Sequence, residues 1–440
     1  MSSIPQHGQW LGQPRGLTIL FLTEMWEIFS YYGMRALLVY YMTKQLLLGQ
    51  QQASLIYGIY TATVYFTPII GGFISDRWLG HRRAVIIGGS IMAIGHFMMA
   101  SEAFFYFALA AIAIGNGLFL PSLPSQIDGL YTEEDPRRGS AYNVYYVGIN
   151  LGGLLAPLVC GTLGELYGWH WGFGAAGVGM LLGLAIYVLG GQYLPSDSKV
   201  PKRQEARSDR ASPASADLRR TVLVLGAIGL TVVLFRGAYE QVGNTIALWA
   251  DSAVDRSVAS GLAIPMTWFQ ALNPLLVILL TPLFVAHWTR QAVKGREPAP
   301  ARKMSFGALG VAAAYLLLSA VSGASAAGQV SWLWLALFFL ILTAGELFIL
   351  PIGLGLFARL APEGHGATTI AAWFLAAFGG NLLAGALGML WSVIGHTAYF
   401  ALMAGVAATA GMALWLLDRP AARLTESHSK QFREQSKVPE

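Results

Sequence analysis

Twelve long apolar stretches constrain this chain more than any other feature. They run near residues 17–45, 54–78, 84–100, 103–125, 139–163, 170–194, 220–250, 259–288, 304–324, 330–358, 367–391 and 395–418. A helix crossing the hydrocarbon core of a bilayer needs about 20 mostly apolar residues. Ser101 and Glu102 mark a tight loop and keep the third stretch from fusing with the fourth. Composition agrees, with 55% hydrophobic and 12% charged residues, against about 25% charged in a soluble domain. The 51 glycines and the 12% aromatic content suit helices that pack closely and anchor at interfaces. One cysteine, Cys160, excludes an internal disulfide framework and a cysteine metal cluster. The first sixteen residues are polar and lack the short apolar core of a cleavable signal.

The basic residues set the expected topology. Arg77, Arg82 and Arg83 follow the second stretch, and Arg290, Lys294, Arg296, Arg302 and Lys303 follow the eighth. Segment 195–219 carries Lys199, Lys202, Arg203, Arg207, Arg210 and Arg219, whereas loops 47–53 and 322–329 carry no lysine or arginine. The positive-inside rule then puts both termini in the cytoplasm of a multi-pass protein of the plasma membrane, the inner membrane in a bacterium. The net charge of +5 reads as membrane orientation and not as nucleic-acid binding.

The polar 195–219 segment, with Pro201 and Pro213, divides six stretches from six. The expected layout is a cytoplasmic N-terminus at 1–16, a six-helix bundle at 17–194, a flexible linker at 195–219, a second bundle at 220–418 and a fraying tail at 419–440. Two such bundles can hold a solute cavity near the bilayer midplane.

Ionisable side chains inside apolar stretches carry the functional information, because each costs several kcal/mol unless it faces a cavity or a partner. The first stretch holds Glu24, Glu27 and Arg35. At about 100° per residue these share a stripe of roughly 100° with Ile28 and Tyr31. Arg236 and Glu240 are spaced i, i+4 in the seventh stretch. Glu346 lies mid-span in the tenth, between Gly345 and Pro351, and Asn150, Asn273 and Asn381 add amides. Each has a structural reading beside the functional one. A buried Asn can serve a helix–helix hydrogen bond, Glu27 and Arg35 can form a structural ion pair, and Tyr31, Tyr32 and Tyr65 can be packing. His96 reads as a core histidine with its nitrogens satisfied. Asp76, Arg77, Arg82 and Arg83 sit at a hinge and are expected to stabilise one conformation without touching a solute.

Two long motifs carry a family resemblance. One is Gly71-Gly72-Phe73-Ile74-Ser75-Asp76-Arg77-Trp78-Leu79-Gly80, and the other runs from Tyr142 through Tyr145, Tyr146 and Asn150 to Gly152-Gly153. With Glu24-x-x-Glu27, Tyr31-Tyr32-Gly33-x-Arg35, Glu240-Gln241, Asn273-Pro274, Gly345-Glu346 and Trp373-Phe374, the sequence resembles the proton-dependent oligopeptide transporters of the major facilitator superfamily. The resemblance implies an all-α integral membrane fold of twelve helices in two bundles. It also implies proton-coupled import of di- and tripeptides by alternating access. In such proteins the residue matching Glu346 holds the peptide amino group, those matching Tyr31, Tyr65, Asn150 and Asn273 line the cavity, and that matching Trp373 shapes a side-chain pocket. The pair matching Arg35 and Glu240 links the two bundles, and Glu24 and Glu27 are further proton candidates. Arg35 is the expected anchor for a substrate carboxylate, with Arg236 second.

The departures from the family pattern are specific. Ile28 stands where the family has Arg, Leu120 where it has Lys, Arg236 where relatives commonly have Trp, and Leu350 where they have Ser. The linker is also too short for the two extra helices found in many bacterial relatives. Losing the Arg and Lys together favours two alternatives: another small solute, such as an organic anion or a peptide-like natural product, or weak proton coupling. The expected partners are peptides, protons and membrane lipids, with no cofactor beyond the coupling proton and a monomeric state. No nucleophile–base set, metal-ligand spacing or phosphate loop points to an enzyme.

Overall fold

The computed structural model describes residues 9–10, 12–132, 135–195, 215–259, 262–324, 329–362 and 365–435. The helices in chain order are α1 (Arg15–Tyr40), α2 (Gln50–Ile74), α3 (His81–Met98), α4 (Phe105–Ser122), α5 (Arg138–Ala156), α6 (Thr162–Tyr167), α7 (Trp169–Leu189) and α8 (Ser215–Tyr239). They continue as α9 (Thr245–Ser252), α10 (Trp268–Val293), α11 (Pro300–Ala324), α12 (Trp332–Leu347), α13 (Leu350–Arg359), α14 (Gly366–Gly388), α15 (Trp391–Ile394) and α16 (His396–Gln435). Among the described residues, ten helical spans are long and apolar enough to cross a membrane. Helices α1 and α3 are the other two of the twelve expected stretches; α1 carries Glu24, Glu27 and Arg35, and α3 begins His81-Arg82-Arg83. Large apolar side chains such as Ile94, Leu283 and Leu416 are exposed while Glu24, Glu27 and Glu240 are buried, the distribution expected with lipid as the outer solvent.

The chain folds as two compact units. One contains residues 1–49, 63–203 and 256–278, and the other 50–62, 204–255 and 279–440. In the first unit, α1 packs on α5 and α7, and α3 on α4 and α7. Its core includes Leu17, Leu20, Val85, Met92, Phe119, Met180 and Tyr187. Glycine sets the approach of α5 to α1, since a Cβ at Gly152 would lie 2.2 Å from the Met25 carbonyl oxygen. That backbone contact brings the α1 stripe against α5. In the second unit α11 packs on α16 and α12, and α8 on α14 and α16. The first half of α2 belongs to this unit: a Cβ at Gly58 would lie 2.4 Å from the Gly385 Cα.

Several elements differ from the sequence expectation. The seventh stretch is broken by a short 3-10 turn at Glu240–Gly243, and the tenth is broken between α12 and α13 at Phe348 and Ile349. The eighth begins with a hairpin, Ser257–Ala259 paired with Leu262–Ala263, so its helix starts only at Trp268. The last helix does not stop at residue 418 but runs to Gln435, because Ala421-Ala422-Arg423-Leu424 and the residues beyond are mostly good helix formers. His96 is fully buried, yet neither ring nitrogen has a hydrogen-bond partner among the described residues, which corrects the expectation of a satisfied histidine. Most of the 195–219 linker, residues 196–214, lies outside the described residues.

Candidate functional site

Each unit contains a buried polar cluster built on charged side chains. In the first, Glu24 and Glu27 are 1% and 2% exposed on the inner stripe of α1. The Oε2 atom of each lacks a hydrogen-bond partner among the described residues. Tyr145 of α5, 5% exposed, lies in electrostatic reach of both carboxylates, and its hydroxyl also lacks a well-formed hydrogen bond. Buried polar atoms are ordinarily paired, and here two acids and a phenol are left open in one place.

Ile28 explains part of that openness. Its side chain packs against Gly152 and Gly153 of α5, next to the two acids. An aliphatic group at this point supplies no donor and no countercharge. Leu120, the other departure from the family pattern, is half-buried on α4. Further along α1, Tyr31 meets Tyr32 edge-on at 5.4 Å between ring centroids, and the Arg35 guanidinium lies 5.6 Å from the Tyr32 ring centre. Asn150 donates to the Tyr146 carbonyl of its own helix at 3.0 Å, leaving its oxygen as the group available to a donor. Tyr65 of α2 is half-buried. Asn273 precedes Pro274, whose ring faces Gly153.

In the second unit, Arg236 Nη1 donates to Glu240 Oε1 at 2.8 Å, and the two side chains are 7% and 2% exposed. The pair sits where α8 gives way to the 3-10 turn. Around that break Gln241 donates to the carbonyls of Gly237 and Ala384 at 3.0 and 2.9 Å, and Thr245 donates to Gln241 Oε1 at 3.0 Å. Ser54 donates to Asn244 Oδ1 at 2.8 Å, and Gln50 donates to the Gly388 carbonyl at 2.9 Å, tying the start of α2 to this unit. A broken membrane helix frees backbone groups, and this amide network re-satisfies them.

Glu346 is half-buried in the last turn of α12, directly before the second break, where the Ile349 amide donates to its carbonyl at 2.8 Å. Trp373 of α14 is 5% exposed, packed against Phe357 with ring centroids 5.3 Å apart and seated on Gly353. The structure thus gathers Glu24, Glu27 and Tyr145 in one unit and Arg236 and Glu240 in the other. Asn244 and Ser54 lie outside every motif, and Tyr145 and Gln241 stood in motifs with no role assigned to them. Tyr145 stood in a quoted motif, but its packing on α1 becomes visible only once the α1–α5 contact is known.

Comparison with known proteins places these clusters in a family. The POT family model matches residues 82–208 and 196–401. The transporter YclF of Bacillus subtilis is 34% identical, with 95% of this chain and 96% of that protein covered. A di-/tripeptide transporter of Lactococcus lactis subsp. cremoris is 31% identical, with 94% and 97% covered. The crystal structure of a peptide transporter POT in complex with sulfate superposes with a TM-score of 0.87 at 32% identity, covering 96% of this chain and 98% of that one. A POT family transporter in complex with 5-aminolevulinic acid gives a TM-score of 0.85 at 26% identity, covering 95% and 99%. With its major facilitator fold and its family motifs, this chain is a membrane transporter of the POT family and not an enzyme.

Proposed function

We propose that the protein is a proton-coupled symporter that imports di- and tripeptides by alternating access across a bacterial inner membrane, with both termini cytoplasmic. The observation that carries the coupling is the Glu24–Glu27–Tyr145 cluster, where two buried carboxylates each present an oxygen with no donor among the described residues. A proton arriving there neutralises a charge that burial penalises. Relatives that span nearly the whole chain and are named di-/tripeptide transporters support the cargo. In the proposed cycle Glu346 holds the peptide ammonium, Asn150 and Asn273 hold peptide-bond groups, Tyr31, Tyr65 and Trp373 form tolerant walls, and Arg35 anchors the carboxylate. Arg236 is the cation that holds Glu240, and protonation of Glu240 releases it. The transporter works as a monomer and needs no cofactor beyond the proton.

The test is peptide-dependent proton uptake in proteoliposomes holding the purified protein. Dialanine should drive it, and Glu346→Gln should abolish peptide uptake while leaving the protein folded. Uptake unchanged in that variant overturns the amino-anchor role. A second reading is a different small solute or weak coupling. The apolar packing of Ile28 beside the two acids favours it, and a family member bound to 5-aminolevulinic acid supplies a precedent for a solute other than a peptide. Competition by dialanine against a panel of labelled solutes separates the two readings.

A further inference from the structure

At the foot of the second unit, on the side carrying the basic loops, a cavity of about 610 Å³ opens between the turn after α10, the start of α11 and α16. Its wall includes Arg296, Glu297, Arg302, Phe306, Asp418 and Arg419. None of these residues belongs to the buried clusters described above.

Its place along the membrane normal follows from its neighbours. Trp415 and Leu416 of α16 and Phe306 of α11 are exposed apolar side chains, and charged residues begin at Asp418 and Arg302. The cavity therefore straddles the level where hydrocarbon gives way to headgroups.

The charges around it are unevenly paired. Arg302 Nη2 meets Asp418 Oδ2 at 2.6 Å. Lys303 is engaged by Glu297 and lies 5.0 Å from the Trp288 ring centre. Both carboxylates are thereby used. The exposed guanidinium groups of Arg296 and Arg419 have no carboxylate partner among the described residues. Asp418 is 5% exposed, and its second oxygen, Oδ1, is buried with no donor among the described residues. The wall thus offers two free guanidinium forks for an anion, beside a buried carboxylate, Asp418, whose Oδ1 lacks a donor among the described residues.

We propose that this cavity binds the headgroup of a membrane phospholipid, with its phosphate on Arg296 and Arg419 and a headgroup donor on Asp418 Oδ1. Guanidinium forks match phosphate oxygens in pairs. The acyl chains leave along Phe306, Trp415 and Leu416. The buried acceptor gives the site selectivity: an ethanolamine ammonium or a glycerol hydroxyl can donate to Asp418, whereas a choline headgroup carries the same phosphate and no donor.

The test is native mass spectrometry of the full chain in detergent, with added phosphatidylethanolamine, phosphatidylglycerol or phosphatidylcholine of identical acyl chains. Wild type should retain the ethanolamine and glycerol lipids over the choline lipid by roughly tenfold, the equivalent of about 1.4 kcal/mol. The Arg296→Ala/Arg419→Ala variant should lose most retention of all three lipids, with its thermal unfolding midpoint in lipid-free detergent unchanged because both side chains are exposed. Asp418→Asn should reduce the preference for donor headgroups more than it reduces total binding. Equal retention of the choline lipid by wild type, or undiminished retention by the double-arginine variant, overturns the proposal. Displacement of lipid by millimolar inorganic phosphate would assign the site to a soluble anion and also overturn it.

Discussion

Glu165 caps the start of α10 through Thr267. Its carboxylate accepts from the Thr267 amide at 2.8 Å, from the Thr267 hydroxyl at 2.5 Å and from the Met266 amide at 3.0 Å. The Trp268 indole adds a 2.8 Å bond to Thr162. A negative group at a helix N-terminus satisfies open amides and meets the positive end of the dipole. This one capping residue comes from a different helix, so it also fixes the 256–278 segment to the first unit. Removing it with Glu165→Ala should lower stability by about 2 kcal/mol and raise amide exchange at Met266 and Thr267. Exchange rates unchanged at those two amides would show that the cap does not hold the segment.

The Arg236–Glu240 pair predicts a non-additive pair of substitutions. Both groups are nearly excluded from solvent, so deleting one takes a charged partner from a buried charge. Such a loss costs about 3–5 kcal/mol, whereas replacing both partners by apolar groups is often neutral or stabilising. Glu240→Leu and Arg236→Met alone should each lower the thermal midpoint, and the double variant should recover most of the loss. A strictly additive double variant would mean the two side chains find other partners.

The twelve stretches were legible in the sequence because lipid allows few ways to satisfy a backbone. The α1 stripe was legible because helical periodicity alone puts Glu24, Glu27 and Ile28 on one face. The breaks at Glu240–Gly243 and at Phe348 and Ile349 were not. An apolar run with one acid reads as a continuous helix, and the amides of Gln241 and Asn244 with the Ser54 hydroxyl make the first interruption tolerable. Pro351 hinted at the second break, since a proline near a helix start fits where one mid-helix does not. Glu165 was passed over for a similar reason: an acid at the end of an apolar stretch looks like an ordinary loop charge until its partner, about a hundred residues away in sequence, is known. The division of α2 at residues 62 and 63 depends on which neighbours its two halves meet, and one-dimensional periodicity does not record that.

A pH dependence is expected at the N-terminal strap. Tyr131 donates to Gln13 Oε1 at 2.7 Å, Gln13 donates to Ser140 at 2.9 Å, and Arg137 donates to the Gly12 carbonyl at 3.0 Å. Burial pushes the Tyr131 hydroxyl up to about 12 from its usual 10.0. A raised value means the folded state favours the protonated phenol. Its contribution is therefore complete below pH 10.0 and is lost as pH rises through about 12. At the acid end, hydrogen bonds from Arg137 hold Asp135 below its usual 3.8, so that contribution is complete above 3.8 and lost only as pH falls beneath it. Protection of the Gln13 side-chain amide should stay flat from pH 5 to 9 and collapse in the alkaline limb. Tyr131→Phe should remove the alkaline collapse; an identical limb in that variant would assign it to another group.

The sharpest prediction concerns Ile28 and its neighbours. If the open oxygens of Glu24 and Glu27 are the proton site, their behaviour depends on their surroundings, which include Tyr145 and, beside Glu27 in the chain, an aliphatic group packed on Gly152 and Gly153. Tyr145→Phe removes that hydroxyl with little change in volume and should shift the pH dependence of uptake while changing stability by less than about 1.5 kcal/mol. Ile28→Arg introduces a cation beside the acids, and Leu120→Lys returns the second cation of the family pattern. Together they should move the pH optimum of dipeptide uptake to lower pH, because a cation beside a carboxylate favours its charged form and so makes protonation require more acid. Proton flux per peptide, measured in the same vesicles, should rise if the native pair couples weakly. An unmoved pH profile in both Tyr145→Phe and Ile28→Arg/Leu120→Lys would remove this cluster from the proton path and leave Glu240 as the principal candidate.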